Sequence, residues 1–500
     1  MHRVPPARRP LRLVSLLGIA LSTLLFSNLV AGAAQAPVAP VRVSTDPYTN
    51  SSSMHATEVE PDTFSNGATI VSAFQVGRFS DGGSSNIGWA TSTNSGMTWT
   101  NGFMPGITVN GSPPGPYQRV SDPSVAYDVL HGVWMVIALP LNGGGAGLNT
   151  TVSRSTNGGT VWQNPVTVVT QGGLDKTWIA CDNATTSPYY GHCYAAWDNN
   201  SAGNLLQMST STDGGLTWGA ALAPSGSASG LGGQPVVQPS GRVVVPYSVN
   251  DSGIGSFVST NGGASWSSVV TVSSVSSHSV AGNLRTSPLP SAEIDPGGRV
   301  FVVWQDCRFR SGCSANDIVM SSSTDGLTWS AVARIPIDAV SSTVDHFIPG
   351  IAVDKLKTTP VARLALTYYY YPVSNCGSAC QLSVGFISSG DGGATWTTAS
   401  AVAGPMTLSW FPLTNQGYMA GDYISTSFAA DDKAHPVFAL ATPPSGGVFD
   451  AAMYSPLPGL TLPALFPTLA PPPAVRAGGD KPVFFGPSDR PLLKGLPTAH

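Results

Sequence analysis

"STDGGLTW" (Ser211 to Trp218) is the phrase on which the fold turns, because it occurs six times with variation. The other copies read "STNSGMTW" (Ser92 to Trp99), "STNGGTVW" (Ser155 to Trp162), "STNGGASW" (Ser259 to Trp266), "SSTDGLTW" (Ser322 to Trp329) and "SGDGGATW" (Ser389 to Trp396). Half of the 12 tryptophans therefore close one motif, at spacings of 63, 56, 48, 63 and 67 residues. Each interval has room for four short strands and their loops. Ahead of each motif lie a "P-x-hydrophobic-Asp" segment such as "PGIAVD" (Pro349 to Asp354), a β-type run such as "RVFVVW", and a strand entering the motif. A four-stranded antiparallel unit repeated radially is a β-propeller, which leaves only short, protected edges.

Within such a unit the phrase reads as the turn from third to fourth strand. Ser and Asp or Asn bond the turn's own amides, Gly supplies positive φ, and Trp offers apolar surface to the neighbouring sheet. A catalytic or calcium-binding role for the motif Asp is not expected, since the aligned position holds Asn at 94, 157 and 261 and Thr at 324.

Composition agrees with an all-β, turn-rich protein. Charged residues make up 10% of the 500-residue chain, where about 25% is usual. The net charge is −4 and the basic residues form no stripe beyond the N-terminus, so nucleic acid is excluded as a partner. Arg3, Arg8, Arg9 and Arg12, an apolar run to Val30 and "AGAAQAP" read as a cleaved signal peptide over residues 1–36. No further run is long enough to span a bilayer, which predicts a secreted protein without a membrane anchor. The six cysteines pair by proximity, Cys181 with Cys193, Cys307 with Cys313 and Cys376 with Cys380, and none has zinc-site spacing, so disulfides are expected. Each bridge is expected to fix the shape of one loop. Residues 37–455 are assigned to the propeller and the Pro-rich 456–500 to a tail.

The six copies resemble the Asp-box, or BNR, repeat S-x-D-x-G-x-T-W of the sialidase-like β-propeller superfamily, bacterial exo-sialidases included. Three strand-like runs without a box follow the sixth copy (Gly417 to Ser455), and "PVRVSTDP" (Pro40 to Pro47) supplies a fourth, so seven blades are expected, with six as the alternative. The resemblance implies that box turns lie on one face and ligands bind on the other. It also implies arginines that clamp an anionic sugar, a Tyr nucleophile with its Glu, and an Asp acid. On that basis Arg78, Arg285, Arg308 and Asp317 are the candidate substrate-binding residues, and Asp81 (acid), Glu60 and Tyr423 the candidate catalytic ones. Arg308 has an equal alternative as the ion-pair partner of Asp306 inside its disulfide loop. Glu58 and Glu60, two apart in a strand, are expected to point to the same side.

The resulting function is a secreted, sialidase-like glycoside hydrolase that meets an extracellular glycan or glycoconjugate as a monomer. A non-catalytic binding propeller and a polysaccharide lyase stay open, because fold alone does not separate them. No catalytic cofactor or metal is called for, and a structural calcium ion is left open.

Overall fold

Strand pairing follows the box spacing. The computed structural model describes residues 39–356 and 361–462, so the expected signal peptide and most of the expected tail lie outside the described residues. Among the described residues the strands pair in seven successive antiparallel groups, here called units one to seven. Unit one comprises Met54–Asn66, Thr69–Arg78, Ser84–Ser92 and Thr100–Phe103, and unit two Arg119–Asp128, Val133–Leu141, Asn149–Ser155 and Val166–Thr170. Unit three has Leu174–Cys181, Cys193–Asn199 and Leu205–Ser211, with Leu222 bridging to Met208 in place of a fourth strand. Units four, five and six are four-stranded and begin at Val236, Ser291 and Asp345. Unit seven runs through Ser425–Phe428, Lys433–Ser445 and Val448–Pro456, and its fourth strand is Pro40–Arg42 from the other end of the chain, Val41 lying opposite Ser455. Pairing continues past the tail boundary drawn at residue 456, since Thr461 lies opposite Lys433.

The first strands of successive units touch one another in chain order, and that of unit seven touches that of unit one. Apolar side chains fill the space between units. One such cluster joins Met135 and Ile137 of unit two to Ile179 and Trp197 of unit three. No helix among the described residues is long and apolar enough to cross a membrane.

All three expected disulfides are formed. Cys181 is bonded to Cys193, Cys307 to Cys313 and Cys376 to Cys380. They are not alike in what they close. The first joins two neighbouring strands, because Cys181 and Cys193 face each other in register at the start of the unit-three hairpin. Cys313 ends the short 3-10 turn Ser311–Cys313, and Cys380 directly follows the turn Gly377–Ala379, so the other two each close a loop between second and third strands.

Every box ends a third strand and has one wiring pattern. Its serine hydroxyl donates to the Asn or Asp two residues on at 2.8 to 3.0 Å. The same oxygen accepts a Gly amide at 2.8 to 3.1 Å. The fifth copy corrects the alignment: its serine is Ser323, its turn is one residue shorter, and Asp325 takes the place given to Thr324. Three boxes thus carry Asp and three Asn, which suits an acceptor of backbone amides and not a group that must ionise.

The box tryptophans pack as the repeat predicts. Trp266 is 6% exposed and meets Phe257 of its own unit edge-on at 5.6 Å and Tyr194 of unit three at 6.4 Å. Trp266→Ala empties a junction between two units, and we expect a loss of about 3–5 kcal/mol in urea unfolding. A loss under about 1 kcal/mol, the level of a tolerated surface change, would sink the packing account.

Candidate active site

The first strands of units one, two and three each break step at the same place. A register shift falls between Val59 and Asp62, between Ser121 and Ser124, and between Asp175 and Trp178. In each shift one non-glycine residue takes a left-handed backbone: Glu60 (φ 57), Asp122 (φ 47) and Lys176 (φ 44). Such a bulge re-aims a side chain that the pleat would have sent elsewhere, and strain of this kind persists only where surrounding structure holds it. Here the three re-aimed side chains converge. Lys176 Nζ lies 3.2 Å from Asp122 and 3.8 Å from Glu60. It lies 2.5 Å from Asp422, which follows Gly421 (φ 126).

Two adjoining cavities of about 340 and 320 Å³ open over this cluster and share Asp175, Lys176, Arg285 and Gln416 in their walls. Glu60, Arg78, Asp81 and Asp122 line the first, Asp422 the second. The turns between second and third strands, such as Gly82 and Gly83, contribute to the first wall. By strand order these turns lie at the opposite end of the units from the boxes, as the repeat resemblance implies.

Burial and charge sort the carboxyls. Burial pushes Glu60 up to about 8 against the opposing pull of Lys176, and pushes Asp175 up to about 6. Burial also works against Asp422, but Arg285 and Lys176 overcome it and hold that carboxyl well below its ordinary range. Burial likewise disfavours the Lys176 ammonium, yet Asp122, Asp422 and Glu60 raise it well above its ordinary value. Glu60 is therefore protonated at neutral pH while Asp175 and Asp422 are ionised.

Four of the expected site residues, Glu60, Arg78, Asp81 and Arg285, line the first cavity. Arg285 pairs with Asp422, and the buried Arg78 donates to the Gly83 carbonyl at 2.8 Å and faces Glu60 electrostatically. The roles expected of Asp81, Tyr423, Arg308 and Asp317 need correcting. Asp81 is half-exposed and bonds Arg119 at 2.5 Å, which lowers its pKa and keeps it ionised, so it is no proton donor at neutral pH. Tyr423 lies outside both cavities; its hydroxyl donates to the Pro123 carbonyl at 3.0 Å, and burial pushes it well above the ordinary tyrosine value. A nucleophile needs the reverse. Arg308 takes its alternative role, with Nε 2.9 Å and Nη2 2.7 Å from Asp306, and Asp317 is held by Arg310 at 2.6 Å. Neither lines the two cavities.

The cysteines, too, stand apart from the site. None of Cys181, Cys193, Cys307, Cys313, Cys376 and Cys380 lines either cavity, although two of the bridges close loops of the kind that elsewhere wall it. Cys313 holds the loop that carries Arg308 and Arg310. Cys380 is 1% exposed and belongs to the large apolar cluster that includes Leu382 and Leu408. Their contribution is to loop shape and packing. The bulge also parts Glu58 from Glu60: Glu58 is buried against Ser44 and accepts the Met453 amide at 3.1 Å, fastening the N-terminal strand.

Lys176, Asp122, Asp175 and Asp422 were not among the chosen candidates. The signal that finds Lys176 and Asp122 is a charged residue at the same step of consecutive repeats, and for Asp122, as for Glu60, a following Pro marks the break.

Residues 144–350 match the family described as a BNR repeat-like domain. The six boxes reach beyond both ends of that match, and in them the chain is similar to the BNR-repeat, or Asp-box, superfamily. Among solved structures it is similar to a protein of unknown function from Dyadobacter fermentans, at 17% identity over 70% of this chain and 98% of that one, TM-score 0.44. It is similar to the NanB sialidase of Streptococcus pneumoniae at 14% identity, covering 84% and 70%, TM-score 0.44. It is also similar to an ulvan lyase of polysaccharide lyase family PL25 at 11% identity, covering 83% and 96%, TM-score 0.48. No curated protein matches the sequence.

Proposed function

We propose that this chain is a secreted, seven-bladed β-propeller that hydrolyses an extracellular glycan at the cavity over Lys176. The cyclic order of first-strand contacts and the chain-end strand of unit seven support seven blades. The observation that carries the chemistry is one cavity lined by two carboxyls whose environments differ: Glu60, at about 8, and Asp175, at about 6. Between those values one is an acid and the other a carboxylate, the division of labour that glycoside hydrolysis needs. Glu60 protonates the leaving oxygen. Asp175 acts on the sugar carbon, directly or through a water molecule. Arg78, Arg285 and Lys176 supply positive charge that orients an anionic or hydroxyl-rich sugar. With Tyr423 turned away, a carboxylate pair replaces the tyrosine chemistry that the superfamily resemblance suggests.

The test is fluorophore release from a panel of glycosides, a sialic acid glycoside first, followed by reducing-end release from polysaccharides. Hydrolysis confined to a bell between about pH 6 and 8 is the expected result, since it requires protonated Glu60 and ionised Asp175 together. An unsaturated, ultraviolet-absorbing product would instead make the protein a lyase, and binding without turnover would make it a lectin-like module.

A further inference from the structure

Apart from the cavity, unit five and the start of unit six build a second cluster around His346, Asp338 and Asp317. One ligand-type atom from each of the three lies within 4.8 Å of the others. Arginines occupy one side of it. Arg310 reaches Oδ1 of Asp317 at 2.6 Å and Oδ1 of Asp338 at 2.7 Å, while Arg334 reaches the same two oxygens at 2.8 and 2.5 Å. The other carboxylate oxygen of each, Oδ2, is buried and has no hydrogen-bond donor. Asp317 itself is 1% exposed.

The histidine completes the pattern. His346 is 1% exposed and its Nδ1 donates to the Asn316 carbonyl at 3.2 Å, which leaves the Nε2 lone pair facing Asp338 Oδ2 at 3.9 Å. With the proton held on Nδ1 by that carbonyl, none on Nε2 mediates between nitrogen and carboxylate. Buried lone pairs gathered in one place without a donor are costly. A cation removes the conflict, and a histidine whose other nitrogen is fixed by a carbonyl is the usual geometry of a metal ligand.

We propose that Asp317, Asp338 and His346 bind one divalent transition metal ion of the zinc class. Imidazole selects such ions over calcium or magnesium, and one nitrogen with two carboxylate oxygens leaves a position for water. The two arginines balance the carboxylates, so the ion is held by coordination more than by net charge. It would tie the loop closed by Cys307 and Cys313, which carries Arg310, to the first strand of unit six.

The experiment is calorimetric titration of the chelator-stripped full chain with Zn²⁺ alone, beside Asp338→Asn and His346→Phe. One equivalent should bind the wild type, and each variant should lose affinity by at least roughly a hundredfold, beyond the ten- to hundredfold cost of losing an outer partner. Cobalt(II) in place of zinc should give a visible ligand-field band that His346→Phe abolishes. Thermal melting establishes that each variant is folded; should His346→Phe fail to fold, the more exposed Asp338→Asn decides. Absence of one-equivalent uptake, as when a water molecule fills the gap, overturns the proposal, and so does uptake that survives in either folded variant.

Discussion

Lys176→Met should cost about 3–5 kcal/mol of unfolding free energy, because it strips the shared cation from a buried set of carboxylates and leaves Asp422 with Arg285 alone. The ammonium is 9% exposed and contacts Asp122, Asp422 and Glu60. Chemical denaturation at several pH values gives the check. The folded-state pKa of Asp422 is depressed, so stability drawn from its ionised form is present above its ordinary 3.8 and is lost as pH falls. The gap between wild type and variant should therefore be widest near neutrality and narrow on acidification. A loss within about 0.5 kcal/mol, typical of a surface substitution, would remove Lys176 from the centre of the cluster.

Glu60→Gln should leave the fold intact and cut turnover by about 10²–10⁴, the usual contribution of a general acid. The amide matches the size and neutrality of a protonated glutamic acid, so packing around it changes little. The same variant reports on stability. The folded value of Glu60, about 8, lies above its ordinary 4.5, so its contribution is fully present below 4.5 and is lost as pH rises to about 8. Glu60→Gln should flatten that part of the stability profile in urea unfolding. Turnover retained within about threefold of wild type would take the proton-donor role from Glu60, a general acid being worth far more than that.

The periodic part of the molecule was legible and its exceptions were not. Box spacing located every third-to-fourth turn, and the strand supplied by Pro40–Arg42 was readable because the last three runs lacked a box and a partner. Local hydrogen bonding dictates those features, so a short window contains them. The cysteine pairs were legible for the same reason, with Cys307 and Cys313 six residues apart and Cys376 and Cys380 four. The site depends on departures from period: a pleat predicts Glu58 and Glu60 on one side, whereas the bulge sends them to different neighbours. Ion pairs across hundreds of residues, such as Lys176 with Asp422, leave no local trace. Arg119 is the instructive case. It converts Asp81 from a plausible acid into a fixed anion, and nothing in "GRFSDGG" announces it.

The pairing of Pro40–Arg42 with Val448–Pro456 also orders events in time. Among the described residues the first strand waits for nearly the last, and contacts such as Arg42 with Asp450 span 408 residues. Closing a loop that long costs only modestly more entropy than closing one a few times shorter, yet it can happen only once Val448–Pro456 has been made. Until then unit seven lacks its outer strand and Glu58 its partners from the far end of the chain. The two segments thus act as a clasp, each strand protecting the other from fraying once they are fastened.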